Sequence, residues 1–143
     1  MASTSTSTFT AAELVYLRGQ RLARLGTIGP DGAPQVRPVG FLVDAETGTI
    51  DIPGLNNPET QKWRNVERDG RVSLIVDDVV PQPWQPRALE VRGVAEVLPD
   101  VQHTTAFPGV RPGVIRIHPR RIIVFGLNDP DAPGSRNLGA ARG

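Results

Sequence analysis

The chain has 143 residues, 16 Lys and Arg against 15 Asp and Glu, a formal net charge of +1, and no cysteine. That length makes one domain able to bury roughly 68–70% of its unfolded surface without staples, and the missing cysteines exclude disulfides and thiolate metal sites. Near-neutral charge and seven aromatic residues (two Trp, one Tyr, four Phe) argue against a nucleic-acid binder, two histidines are too few for a His-based metal centre, and no apolar run reaches the ~20 residues of a membrane span.

Residues 1–9 form a Ser/Thr-rich tail expected to be disordered. It has neither the basic start nor the apolar stretch of a secretory signal, so a cytoplasmic location is the default. Thr10-Ala11-Ala12-Glu13 is a capping box, which predicts a helix from there to about Gly19. Residues 22–28 read as a strand, Gly29-Pro30-Asp31-Gly32 as a turn, and residues 34–43 as the second strand of a hairpin. A turn over 44–48 leads to a short third strand, Thr49-Ile50-Asp51-Ile52. A polar loop, Pro53-Gly54-Leu55-Asn56-Asn57, then feeds a helix expected over 58–68. Asn57 is its expected N-cap and Pro58 its first residue, and Trp63 and Val66 share one face.

The fourth strand covers 72–76, and residues 78–86 read as a Pro-rich loop around Trp84. Over 87–98, Leu89, Val91, Ala95 and Val97 alternate with Glu90, Arg92 and Glu96, the pattern of a half-buried strand. Residues 99–112 read as loop. Residues 114–117 and 122–125 make one or two last strands around His118-Pro119-Arg120-Arg121. Residues 128–143, rich in Gly, Pro and Ala, read as a flexible tail. The expected fold is mainly β: an antiparallel barrel of six or seven strands with two short helices, occupying residues 10–127.

Chemistry concentrates at the third-strand-to-helix connection. A helix start presents unpaired N–H groups and a positive dipole end, and Lys62, the only lysine, lies just inside it. Thr60 offers a hydroxyl and Gln61 an amide at the same end, while the carboxylate of Glu59 would repel an anion. On spacing alone, the commoner explanation of such a lysine is a solvated face on a capped helix. Arg37, in an otherwise apolar strand, sits at a rim or faces an anion. Arg116, His118, Arg120 and Arg121 form a basic group of the kind barrel rims carry. Trp84 fits a loop anchor, a dimer contact or a lid over a flat ring. Glu90 and Arg92, on one strand face, are expected to form a structural ion pair with the neighbouring strand. There is no Gly-x-Gly-x-x-Gly or Gly-x4-Gly-Lys-Ser/Thr motif, and Ser73, inside a strand, has no plausible His partner.

Four segments in order resemble the pyridoxamine 5′-phosphate oxidase-like flavin and deazaflavin proteins. They are residues 21–41, residues 60–78, Pro83-Trp84 with residues 87–96, and residues 115–122. Together they span roughly residues 9–127. Within that family the chain resembles the actinobacterial branch grouped as coenzyme F420-dependent. That branch includes reductases acting late in tetracycline-type antibiotic biosynthesis, so a role in secondary metabolism is implied.

The resemblance implies a split β-barrel that pairs into a homodimer, with cofactor grooves at the dimer interface. It assigns the cofactor phosphate to Arg37 and Lys62, assisted by Thr60 and Gln61. It places the backbone of Pro38, Val39 and Gly40 against the tricyclic ring, and it brings Trp84 or the C-terminal basic group from the partner. The flavin mononucleotide (FMN) oxidases of the family usually carry Arg-Lys where this chain has Gln61-Lys62. They also carry a C-terminal segment for pyridoxal phosphate that has no counterpart after Phe125. The implied activity is hydride transfer from reduced F420 to an electron-poor alkene or imine of a small molecule. Two alternatives stay open: an FMN oxidase or flavin reductase of the same fold, and a non-catalytic cofactor carrier. The final proton is expected from solvent or from His118, imidazole being the side chain type suited to proton transfer at physiological pH. Groove-lining residues are expected in the loops at 53–57, 78–86 and 99–112.

Overall fold

In the computed structural model, which describes residues 8–129 and 134–139, the capping box forms as expected. Thr10 Oγ1 accepts from Glu13 N (3.1 Å) and Glu13 Oε1 accepts from Thr10 N (3.0 Å), opening helix α1 (Ala11–Arg18). This helix buries Tyr16 and Leu17 and leaves Val15 exposed. Strands β1 (Ala23–Ile28) and β2 (Pro34–Val39) pair antiparallel across the predicted turn.

The single strand expected over 34–43 breaks at Gly40 and Phe41. The two-residue strand β3 (Leu42–Val43) turns away to pair with β4 (Ile50–Gly54). The break closes the barrel. With β5 (Arg71–Pro81), β6 (Trp84–Leu98) and β7 (Arg111–Phe125), all strand pairings are antiparallel, and the main order is β2-β1-β5-β6-β7-β4-β3. The first and last members of that order are consecutive in the chain and only two residues apart, so the sheet must roll until its edges meet. The result is the split β-barrel that the sequence implied.

Three other expectations change. Residues 78–86 are not a loop: β5 (Arg71–Pro81) and β6 (Trp84–Leu98) stay in register out to Pro81 opposite Trp84, as a projecting hairpin arm. The prolines lie near its tip, where few ladder bonds are lost. The last strands are one, β7 (Arg111–Phe125), with a bulge. Arg92 faces Arg121 while Gly93 faces Pro119, so Arg120 is the extra residue. The extra residue shifts the inward face by one, which is why Ile115, Ile117 and Ile122 are all fully buried. Finally, the segment read as a C-terminal tail contributes β8 (Arg136–Asn137), paired with β7. Of the predicted N-terminal tail, residues 1–7 lie outside the described residues, and Phe9 is buried in the core.

The helix after β4 starts later than expected. Asn57 opens a 3-10 turn (Asn57–Glu59), and Thr60 caps helix α2 (Gln61–Arg68). Asn57 is buried, and its amide donates to the carbonyls of Ile52 (2.9 Å) and Gly113 (3.0 Å). Sequence-local capping yields here to backbone carbonyls that only the β4–β7 pairing brings near. Trp63 and Val66 pack α2 onto the core beside Leu25, Ile52, Leu74 and Ile115.

Candidate functional site

Two cations face an open groove with nothing to neutralise them. Arg37 lies on edge strand β2, exposed, and Lys62 is the second residue of α2. Together with Thr27, Gln35, Val36, Thr60 and Gln61 they line a cavity of about 640 Å³. Neither cation has an ion-pair partner among the described residues. Burial, and secondarily the charge of Arg37, pushes the Lys62 ammonium below the ordinary lysine value. An unpaired, half-buried lysine beside an arginine costs the empty protein free energy, and an anion relieves that cost. Glu59 is exposed and is not among the residues lining the groove, so its carboxylate does not oppose an anion there.

The N-terminus of α2 adds to the field. Thr60 Oγ1 donates to the Asn57 carbonyl (2.7 Å) and accepts a long bond from Trp63 N (3.4 Å). The backbone N–H groups of Gln61 and Lys62 belong to the first turn and have no acceptor within the helix. Two cations and two free N–H groups form a donor set suited to a phosphate.

Behind this wall sits Asn65, fully buried and unsuspected from the sequence. Its amide donates to Thr27 Oγ1 (2.9 Å) and Gln35 Oε1 (2.8 Å), and its carbonyl accepts from Gln61 Nε2 (2.8 Å) and Arg68 Nη2 (3.3 Å). Gln61 also accepts from Arg64 Nη2 (3.1 Å). Both ends of the Gln61 amide are thus engaged within the protein, so Gln61 shapes the groove while its side chain is turned onto the helix. One sequence signal pointed this way: Gln61 and Asn65 are four apart on one helix face. Replacing Asn65 with Ala strands the hydroxyl of Thr27, which is itself buried. The expected cost is about 2 kcal/mol in urea unfolding, together with weaker binding of an anion in the groove because Gln35 and Gln61 lose their common partner.

A second lobe, of about 390 Å³, continues from the first and shares Thr60 and Lys62 with it. Pro38, Val39, Gly40, residues 53–57 and Phe107 complete its lining. The Phe107 ring lies against Gly40. The residues expected to meet a phosphate (Arg37, Lys62, Thr60, Gln61) and a ring (Pro38, Val39, Gly40) therefore line one continuous groove. The loops at 53–57 and 99–112 contribute as expected.

The remaining candidates lie elsewhere in the protomer. Trp84 is 73% exposed at the tip of the hairpin arm and lines neither lobe. His118 is exposed on β7 and bonds Glu96 Oε2 (2.6 Å). Arg116 is committed to Asp51 through Nε (2.7 Å) and Nη2 (2.9 Å), and Arg121 bonds Asn137 Oδ1 (2.9 Å). Of the predicted basic group, at least these three are already partnered within the chain. Glu90 and Arg92 pair with each other along β6 (2.8 Å) rather than with the neighbouring strand, from which Glu90 accepts the Ser73 hydroxyl (3.0 Å).

The sequence profile described as pyridoxamine 5′-phosphate oxidase matches residues 9–128. A 5a,11a-dehydrotetracycline/5a,11a-dehydrooxytetracycline reductase of Streptomyces rimosus is 42% identical over 120 residues, covering 83% of this chain and 84% of that protein. Among solved structures, one titled F420 reductase is 27% identical with TM-score 0.54, covering 71% of this chain and 88% of that one. A conserved hypothetical protein of Mycobacterium tuberculosis shares the fold at 23% identity and TM-score 0.63, over 98% and 99% of the two chains.

Proposed function

The chain belongs to the pyridoxamine 5′-phosphate oxidase family, and from that premise we propose that it is a coenzyme F420-dependent reductase. It acts on an electron-poor alkene or imine of a small molecule, and it works as a homodimer. The observation that carries this reading is the unpaired Arg37–Lys62 couple at the start of α2, at one end of a groove whose other lobe is walled by Pro38, Val39 and Gly40. The relative titled F420 reductase supports the deazaflavin over the flavin, and the relative named for reducing a dehydrotetracycline supports a reductase acting on a small molecule. Small-molecule secondary metabolism is the matching setting.

Each part of the groove has a task. Arg37, Lys62 and the free N–H groups of Gln61 and Lys62 bind the cofactor phosphate as a charge-assisted cluster. The backbone of Pro38, Val39 and Gly40 orients the ring, and Phe107 walls it from water. When bound, the reduced deazaflavin supplies the hydride, and the protein supplies binding, orientation and electrostatics. The exposed edge strand β2 and the projecting arm that carries Trp84 are the surfaces available for pairing two copies.

Titrating the purified protein with F420 and, separately, with FMN tests the assignment through cofactor fluorescence. Saturable micromolar binding of F420, weaker or absent for FMN, is the expected result. Tight FMN binding without any for F420 would move the protein to the oxidase and flavin reductase branch. Turnover of an enone with reduced F420 then distinguishes a reductase from a carrier.

A further inference from the structure

A third cavity, of about 440 Å³, is lined by Arg18, Asp51, His103 and Arg116 together with residues 42–46. Neither lobe of the cofactor groove includes it, yet it lies next to them. Leu42 of β3 is paired with Asp51 of β4. Two residues along the chain from these, Gly40 and Pro53 line the ring lobe. Two residues of extended chain span at most about 7 Å, so the cavity and the ring lobe are neighbours along both segments. The loop over 99–110 spans both, with Phe107 at the ring lobe and His103 at the cavity.

The polar groups there are built as a relay. Asp51 is 92% buried by side chain, with both oxygens engaged by Arg116 (2.7 and 2.9 Å) and one also by His103 Nε2 (2.7 Å). Burial works against its carboxylate, but the Arg116 and His103 bonds outweigh burial and hold it below the usual carboxylate range. Asp51 therefore stays an acceptor, and His103 Nε2 is its donor. Nδ1 remains as the ring's other donor or acceptor, with no partner among the described residues. His103 keeps about a third of its side chain exposed, while the carboxylate behind it is nearly dry. An imidazole oriented by a buried carboxylate and open at its other nitrogen is an arrangement for proton transfer.

We propose that this cavity is the substrate subsite and that His103 is the catalytic acid, presenting Nδ1–H to the carbonyl oxygen of a conjugated carbonyl compound. The assignment rests on the reductase reading above. The balance is simple. A hydride from the reduced deazaflavin forms a C–H bond at the β-carbon, the C=C electron pair shifts toward the carbonyl oxygen, and that oxygen takes the proton from Nδ1. The enol becomes the ketone by proton exchange with water. His103 is left neutral, still bonded to Asp51, and regains its proton from solvent. Arg116 is a positioning residue, because it acts through Asp51. The other charges facing the cavity are Arg18 from α1 and Asp44 and Glu46 from the β3–β4 turn, and Glu96 lies beside Arg116 on β6.

His103→Gln tests this, because an amide can still donate to Asp51 but cannot carry the proton. F420 affinity of His103→Gln is expected to match wild type. Its kcat on an enone is expected to fall on the order of 100-fold, with KM little changed and the imidazole limb of the kcat pH profile gone. Wild-type kcat and pH profile in His103→Gln, with a loss only in His103→Ala, would make the residue a loop latch and overturn the proposal. If the wild-type protein binds no F420, the reductase reading falls, and the subsite is judged on the ligand-free protein. Cyclohexenone is expected to shift the NMR signals of the His103 imidazole and spare those of His118. Unmoved His103 signals overturn the subsite.

Discussion

Lys62→Met lowers the affinity for a phosphate-bearing cofactor by about 10- to 100-fold, equivalent to the roughly 1.5–3 kcal/mol of one charge-assisted hydrogen bond. The same variant leaves the ligand-free protein at least as stable as wild type. Both expectations follow from one observation: Lys62 is half-buried, has no ion-pair partner among the described residues, and is pushed below the ordinary lysine value by burial and then by Arg37. A lysine whose folded-state pKa is lowered disfavours the folded state wherever the unfolded chain would be protonated, including neutral pH. Removing the charge removes that cost, and methionine keeps the packing of the stem. Fluorescence titration and thermal unfolding on the same samples check the two halves. Unchanged affinity would mean that the start of α2 is merely capped. Arg37→Ala should act in the same direction, and the double variant should be non-additive, because in the proposed site both side chains would meet one phosphate.

The largest stability loss is expected at Arg136, far from the groove. Glu13 is fully buried, and its two oxygens accept from Arg136 Nη2 (2.8 Å) and Nη1 (3.0 Å). Arg136 also donates to the carbonyls of Thr8 (2.7 Å) and Gly134 (2.9 Å), so one side chain ties both ends of the described chain to α1. Arg136→Leu leaves a buried carboxylate with, among the described residues, only the Thr10 N–H to compensate it. Breaking such a pair from one side costs about 3–5 kcal/mol, which for a domain of this size lowers Tm by about 10 °C. Glu13→Gln combined with Arg136→Leu should recover most of the loss, since the amide keeps the capping bond and no charge remains buried. Circular dichroism melts of the three proteins decide it, and an unchanged Tm in Arg136→Leu would show that the carboxylate finds water instead. The effect reaches the proposed subsite, because Arg18 at the end of α1 lines that cavity.

How legible the molecule was depends on sequence separation. The capping box of α1, the first hairpin, the Trp63–Val66 face and the alternation along β6 are set by neighbours within four residues. Arg37 and Lys62 stood out by type: an arginine in an apolar strand and a single lysine at a helix start. The residues that escaped notice work over long separations. Asn65 meets Thr27 and Gln35 across 38 and 30 positions, His103 meets Asp51 across 52, and Arg136 meets Glu13 across 123. Asn57 looked like an N-cap because the rule for caps is local, yet its amide went to carbonyls exposed by the β4–β7 pairing.

The amino-acid order alone therefore determined both helices and most of the strands, though not the arm over 78–86, the single bulged β7 or β8, and it singled out two cations with no obvious structural duty. Periodicity and capping are short-range physics, written in a few consecutive residues. Tertiary structure alone decided that strand 34–43 breaks at Gly40, that the sheet rolls shut there, and that Arg37 and Lys62 therefore face one groove. It also decided the partners of Asn65, Asp51 and Glu13. A buried polar group must find its hydrogen bonds wherever sheet register and closure deliver them, and register is a property of the whole sheet.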